Sequence, residues 1–245
     1  MNFMDYQNLK DSCVEWIRGW FEINGKGCCA VLGMSGGKDS TVAAALCAEA
    51  LGRDKVVGVA MPAAGQSLNE ADEICAHLGI RYICAPIGSV IDAFAPIRES
   101  LPEGFSAQTE QNIPPRVRMT VLYAISQSLG GRVVNTCNLS EDWIGYATRW
   151  GDSVGDFSPL GGLTVQEIRG IGHALGIPAK WVDKVPDDGL PHSCSDEQKF
   201  GFTYEVLDRY IRTGECDDPA VKAKIDRMHK NNLFKLSMPE AFKPF

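Results

Sequence analysis

Apolar residues near the start of the chain recur at helical spacing. Phe3, Tyr6, Leu9, Cys13, Trp16, Ile17 and Trp20 share one face, which predicts a helix over residues 2–23. The pattern then changes. Cys28 to Met34 is a short unbroken apolar run set off by Gly25 and Gly27, too short for a helix and suited to a buried strand. After a glycine-rich stretch, DSTVAAALCAEAL is a strong helix former, and Gly52 supplies its C-terminal cap.

The alternation repeats. Val56 to Met61 reads as a second strand, and Ser67 to Leu78 as a helix opened by a capping box of Ser67 with Glu70 and closed by Gly79. Ile80 to Ala85 is a third strand, followed by a helix over 89–100. A long helix follows Pro114 and Pro115 and runs to Leu129, and Arg132 to Thr136 is a fourth strand. Thr164 with Glu167 opens another helix that ends at Gly176, and Trp181 to Val185 reads as a short fifth strand.

Strands alternating with helices predict an α/β fold, a doubly wound parallel sheet of Rossmann-like type flanked by helices. The segment from TYEVLDRYIRTG to DPAVKAKIDRMHK adds a helical, charged C-terminal part. The expected organisation is a single domain over 1–245: the N-terminal helix 2–23, an α/β core over about 27–190, and the helical segment over about 200–245. Ligands of such sheets bind beyond the carboxyl ends of the strands, where 33–40, 61–66 and 136–141 fall. Two polar, Gly/Pro-punctuated stretches, 101–113 and 186–199, read as mobile loops.

Composition narrows the function class. With 44% hydrophobic and 22% charged residues the chain is neither disordered nor a coiled coil. The net charge of −7 opposes nonspecific binding to nucleic acid or an anionic membrane. No apolar run approaches ~18 residues, so no membrane span is expected, and the first residues lack the basic-then-apolar order of a signal peptide. The nine cysteines are odd in number and include no C-x-x-C pair, which gives zinc-ribbon and thioredoxin readings no support and points to the reducing cytoplasm.

The candidate chemistry begins at GMSGGKDS, residues 33–40. A Walker loop fails twice, because Leu32 stands where its first glycine belongs and Asp39 follows Lys38. A dinucleotide fingerprint fails on the spacing of Gly33, Ser35 and Gly36. S-G-G-x-D-S after a strand and before a helix fits the pyrophosphate loop of N-type ATP pyrophosphatases. Gly36 and Gly37 let the backbone turn N–H groups toward an anion, Ser35 and Ser40 add hydroxyls, and the helix N-terminus adds partial positive charge. Asp39 would repel a bare phosphate and makes sense as a ligand of Mg²⁺ held against the phosphates. Gly33, Met34, Ser35, Gly36, Gly37, Lys38, Asp39 and Ser40 are therefore the expected ATP contacts. Such a loop implies cleavage of ATP between its α and β phosphates, which serves to activate an oxygen for attack by a nitrogen or sulfur nucleophile.

The segments NIPPRVRMT and VVNTCNLSEDWIGYATRWGDSVGDFSPLGGLT, with the His-Lys pair near the C-terminus, resemble ammonia-dependent NAD synthetase. The resemblance runs from the glycine loop to residue 230. It implies ATP-dependent amidation of deamido-NAD by ammonia, on a fold of the adenine-nucleotide alpha-hydrolase type. Asp39 and Glu141 would ligate Mg²⁺, Thr136 and Gln66 would touch ATP, and Lys184 would lie near the ATP phosphates or the transferred adenylyl group. Arg116, Arg149, Asp156, His229 and Lys230 would bind deamido-NAD, Arg149 standing where relatives often carry Lys. Asp39, Glu141 and Lys184 are the expected catalytic residues. The resemblance also implies a homodimer. The chain departs from the family pattern at Val165, Gln166 and Glu167, and at Asp187, where Thr is usual. The main alternative is another ATP pyrophosphatase, such as a GMP-synthetase-type amidation module.

Overall fold

The computed structural model describes residues 5–65, 69–184 and 195–243. Four strands, β1 (Cys29–Gly33), β2 (Val56–Ala60), β3 (Arg81–Cys84) and β4 (Gly131–Val133), form one sheet in the order β3-β2-β1-β4. Every pairing is parallel, with Ala30 beside Val56 and Val31 beside Val133 in register. Both faces of β1 are buried, as parallel strands require, with Ala30, Val31 and Leu32 all fully enclosed. Truncating Leu32 to Ala would cost about 2–5 kcal/mol on that account.

The helices in chain order are α1 (Tyr6–Asn24), α2 (Lys38–Leu51), α3 (Asn69–Leu78), α4 (Gly88–Asp92), α5 (Ala95–Ser100) and α6 (Ala107–Ser128). They continue with α7 (Leu139–Ile144), α8 (Val165–Ala174), α9 (Ala179–Val182), α10 (Asp196–Phe200), α11 (Tyr204–Thr213) and α12 (Pro219–Asn232). On one face of the sheet, α1, α2 and α8 bury Ile17, Leu46, Ile168 and Ile171 with Leu32. On the other, α6 packs Val117 and Leu122 against Val31, Val59 and Val133. A third cluster joins Ile144 of α7 to Phe200, Leu207 and Ile225 of α10–α12, so the C-terminal helices dock on the element that carries Glu141. Helix α2 is buried on nearly all sides, which explains its run of alanines: small side chains admit close neighbours.

The expected fold class is the observed one, with local corrections. Helix α1 begins at Tyr6, after the N-cap Asp5, whose carboxylate accepts from the N–H groups of Gln7 and Asn8. Its inward face also turns from the expected one: Trp16 is exposed, while Lys10 goes inside and pairs with Glu49 at 2.5 Å. Among the described residues no fifth strand forms, because Trp181 and Val182 belong to α9, a short turn started by Pro178; Val185 lies outside the described residues. The helix expected over 89–100 is two, α4 and α5, interrupted at Ala93–Phe94 ahead of Pro96. The prolines do not open α6. That helix starts at Ala107, where Ser106 Oγ accepts from Thr109 N, so 107–113 is helical and Pro114 and Pro115 lie inside. Of the expected loop 186–199, residues 195–199 fall in the N-cap and helix of α10, and the part up to 194 lies outside the described residues.

Candidate active site

The chain leaves β1 toward β2 and β3 on one side and returns to β4 on the other. The crevice beyond the carboxyl ends of β1 and β4 is therefore the switch point of the sheet. The glycine loop enters it from β1. Met34 N donates to Val59 O at 2.8 Å, anchoring the loop to β2. Gly36 takes φ 83°, a left-handed conformation that suits glycine, and Gly37 caps α2. Ser35 and Ser40 share a hydroxyl contact of 3.3 Å, and Gly37 N donates to Ser35 Oγ at 3.3 Å. The hydroxyls thus tie the loop to itself.

The turn from β4 to α7 enters from the other side. Asn138, fully buried, is the N-cap of α7: its Oδ1 accepts from Glu141 N at 2.9 Å and its own N–H faces Glu141 Oε2 at 3.5 Å. Its Nδ2 donates to Asp39 Oδ1 at 3.3 Å. One buried amide thereby spans the switch point and places Asp39 and Glu141 together. Burial, and then the charge of Asp39, push the Glu141 carboxyl up to about 8, against the opposing pull of Lys38. Lys38, 4% exposed, turns inward and pairs with Asp39 Oδ2 at 2.8 Å, beneath the ring of Tyr204. Burial disfavours its charge, but the two carboxylates outweigh burial and raise its pKa. Tyr204 of α11 is buried with a hydroxyl that has no partner among the described residues.

Two half-buried carboxylates linked through one amide make a fitting hard-oxygen donor pair for a divalent cation. No group of three or more His, Cys, Asp or Glu side chains able to hold a metal occurs among the described residues. Asp39 and Glu141 would be the protein's donors to such a centre.

The expected dinucleotide residues gather from distant parts of the chain. Arg116 of α6 donates from Nε to the carbonyl of Arg149 at 3.3 Å. The Arg149 guanidinium lies between the rings of Trp150, at 4.9 Å, and Phe234, at 5.3 Å, and donates to Ser237 O. His229 of α12 stacks on Trp143 of α7 at 4.1 Å, and its Nδ1 donates to Trp143 O at 2.9 Å. Because that acceptor is a carbonyl, Nδ1 carries the proton and Nε2 is left as the second ring nitrogen. Lys235 ties the same segment to Gly145 O and Ala147 O. Gly145, at φ 69°, has no room for a Cβ beside Asn232, which lets the C-terminal segment clasp the end of α7.

Other expected residues are placed differently. Asp156 is occupied within the fold: Oδ2 accepts from Val133 N at 2.7 Å on the edge of β4, and Oδ1 faces the Tyr123 hydroxyl at 3.4 Å. Thr136 is half-buried between β4 and α7. Lys230 is exposed on α12. Lys184 pairs with Glu70 of α3. Gln66 lies outside the described residues, as does Asp187. Sequence reasoning passed over Asn138, Tyr204, Trp143 and Phe234. For Asn138 a signal existed, an Asn three residues before Glu at a helix start.

The profile of the NAD synthase family matches residues 10–244. The NH(3)-dependent NAD(+) synthetase of Methanococcus aeolicus is 37% identical over 193 residues, 78% of this chain and 75% of that protein. The solved NMN synthetase of Francisella tularensis is 26% identical and superposes with a TM-score of 0.89 over 99% of this chain and 100% of its own. The NH3-dependent NAD synthetase of Campylobacter jejuni, solved with nitrate, is 30% identical with a TM-score of 0.78 over 98% and 100%.

Proposed function

The chain belongs to the NAD synthase family, and we propose that it amidates the nicotinate carboxyl group of deamido-NAD with ammonia, cleaving ATP to AMP and pyrophosphate. It is accordingly a ligase that forms a C–N bond; a GMP-synthetase-type module is not favoured. The observation that carries the reading is the Asn138 bridge, which sets Asp39 and Glu141 beside a pyrophosphate-type glycine loop.

In the first step the nicotinate carboxylate attacks the α-phosphorus, the bond to pyrophosphate breaks, and a mixed anhydride with AMP forms. Loop N–H groups and the N-terminus of α2 hold the charge that grows on the leaving pyrophosphate. Asp39 and Glu141 would hold Mg²⁺, which would supply further positive charge to the phosphate oxygens. Lys184 leaves Glu70 to meet the same charge. In the second step ammonia attacks the acyl carbon, AMP departs, and a proton is released. Arg116, Arg149, His229 and Lys230 fix the dinucleotide, so that two large anions meet in register. Asp156 joins them only by giving up a bond to Val133 or Tyr123. Thr136 and Gln66 complete the ATP site. The active form is a cytoplasmic homodimer. No helix among the described residues is long and apolar enough to cross a membrane.

A second reading shares every chemical step but takes nicotinate mononucleotide as the acid. The tighter superposition on the Francisella tularensis NMN synthetase favours it. One competition separates the two: the protein is given Mg-ATP, ammonium and equal amounts of both acids, and NAD, NMN, AMP and pyrophosphate are measured. Excess NAD assigns the dinucleotide and excess NMN the mononucleotide. No amide product, or ADP in place of AMP, sinks both.

A further inference from the structure

Glu70 occupies a place that an anion-binding loop does not call for. A Cβ built on Gly36 would meet Glu70 Oε2 at 2.9 Å and Glu70 Cβ at 3.2 Å, so this acidic side chain lies directly against the turn of the glycine loop. The same oxygen accepts from Lys184, 114 residues away in sequence. Sequence patterning assigned Glu70 to a capping box with Ser67; Ser67 lies outside the described residues, and the Glu70 carboxylate reaches Lys184. No group of three or more His, Cys, Asp or Glu side chains among the described residues could hold a metal, so Glu70 does not stand as a third ligand beside Asp39 and Glu141.

We propose that Glu70 is an exchangeable counter-ion, a latch that competes with the phosphate chain of ATP for the glycine loop and for Lys184. The inference rests on the reading of Lys184 as a ligand of the ATP phosphates. A negative phosphate entering the turn at Gly36 meets the carboxylate there, and the contact is repulsive. Glu70 must turn away, which frees Lys184 to take the incoming phosphate as its new partner. The pair suits such an exchange: the side chains are 35% and 50% exposed, so water screens their attraction and holds it in the weak range of surface ion pairs. The consequence is an internal competitor. The loop does not present its full positive field to any passing anion, and only a ligand with several charges at the right spacing displaces the carboxylate.

The test is calorimetric titration of Mg-ATP, without the acid substrate, into the full chain as wild type, Glu70→Gln, Lys184→Met and the double variant. Glu70→Gln should tighten Mg-ATP binding about two- to fivefold, the scale of a surface ion pair. The gain should shrink in the Lys184→Met background. Glu70→Asp, which withdraws the carboxylate by one methylene, should show a smaller gain and serves if Glu70→Gln fails to fold. Weaker binding in Glu70→Gln would make Glu70 a ligand of the nucleotide or its metal, and unchanged binding would make the pair purely structural; either overturns the latch. The amidation reading is judged apart from this: NAD formation with no gain in Glu70→Gln refutes the latch alone.

Discussion

Residues 33–40 build their half of the site from bonds among neighbours. Ser35 meets Ser40, Gly37 meets Ser35, and Gly36 turns the chain at a conformation that suits glycine. The half around Arg149 draws instead on α6, the turn after α7 and the C-terminal segment. It is fastened by a backbone carbonyl, two aromatic faces and the bonds of Lys235. The first half carries opposed charges within a few ångströms, with Lys38 buried; the second has Arg116 and Trp150 exposed. The turn of the glycine loop is thus set by local structure, while its charged partners reach it from distant segments through Asn138 and Lys184. The surfaces proposed to grip the dinucleotide meet only when the C-terminal segment docks.

The contrast breaks if damage to the two halves looks alike. Glu141→Gln keeps the shape of the side chain and the α7 cap but removes a charge from the carboxylate pair. It should lower kcat by roughly a hundredfold or more, with little change in KM for the acid substrate. Wild-type turnover, checked by AMP release, would mean that the metal site is misplaced. Arg149→Ala should act in the opposite sense, raising KM for the acid about tenfold while kcat changes far less. A kcat loss equal to that of Glu141→Gln would erase the distinction.

The smallest effect concerns pH. The Glu141 carboxyl is raised to about 8 from an ordinary 4.5, and burial raises the Asp142 carboxyl beside it to about 6. The folded protein therefore holds protons that the unfolded chain has released. Stability is favoured at low pH and falls as pH rises from about 4.5 to 8. Without Mg²⁺, the urea midpoint should be lower at pH 8 than at pH 6, and Glu141→Gln should flatten the difference. A midpoint that climbs over this range would contradict the enclosure of Glu141.

How far the sequence could be read follows the range of the interactions. The capping box of Thr164 and Glu167 was legible, and it stands in the structure with Thr164 N donating to Glu167 Oε2 at 2.8 Å. Pro114 and Pro115 misled, since proline usually opens a helix, whereas here Ser106 caps one that already runs through them. Trp181–Val182 misled because a short apolar run does not tell a buried strand from a buried turn of helix. At the site, Asp39 and Glu141 were legible as candidates, but the Asn138 amide between them was not, because its partner Asp39 is 99 residues away.

The sequence by itself determined the alternation of strand and helix, the glycine loop with its acidic residue, and the family. Each depends on spacing within a few residues or on motifs kept in order along the chain. Only the tertiary structure decided that Lys38 turns inward to Asp39, that Asp156 is spent on the edge of β4, and that Glu70 lies on the loop with Lys184. Those outcomes depend on which charges become neighbours once the sheet closes. Spacing along a chain fixes the partners of a backbone within one turn or strand, but a side chain's electrostatic partner is fixed by packing.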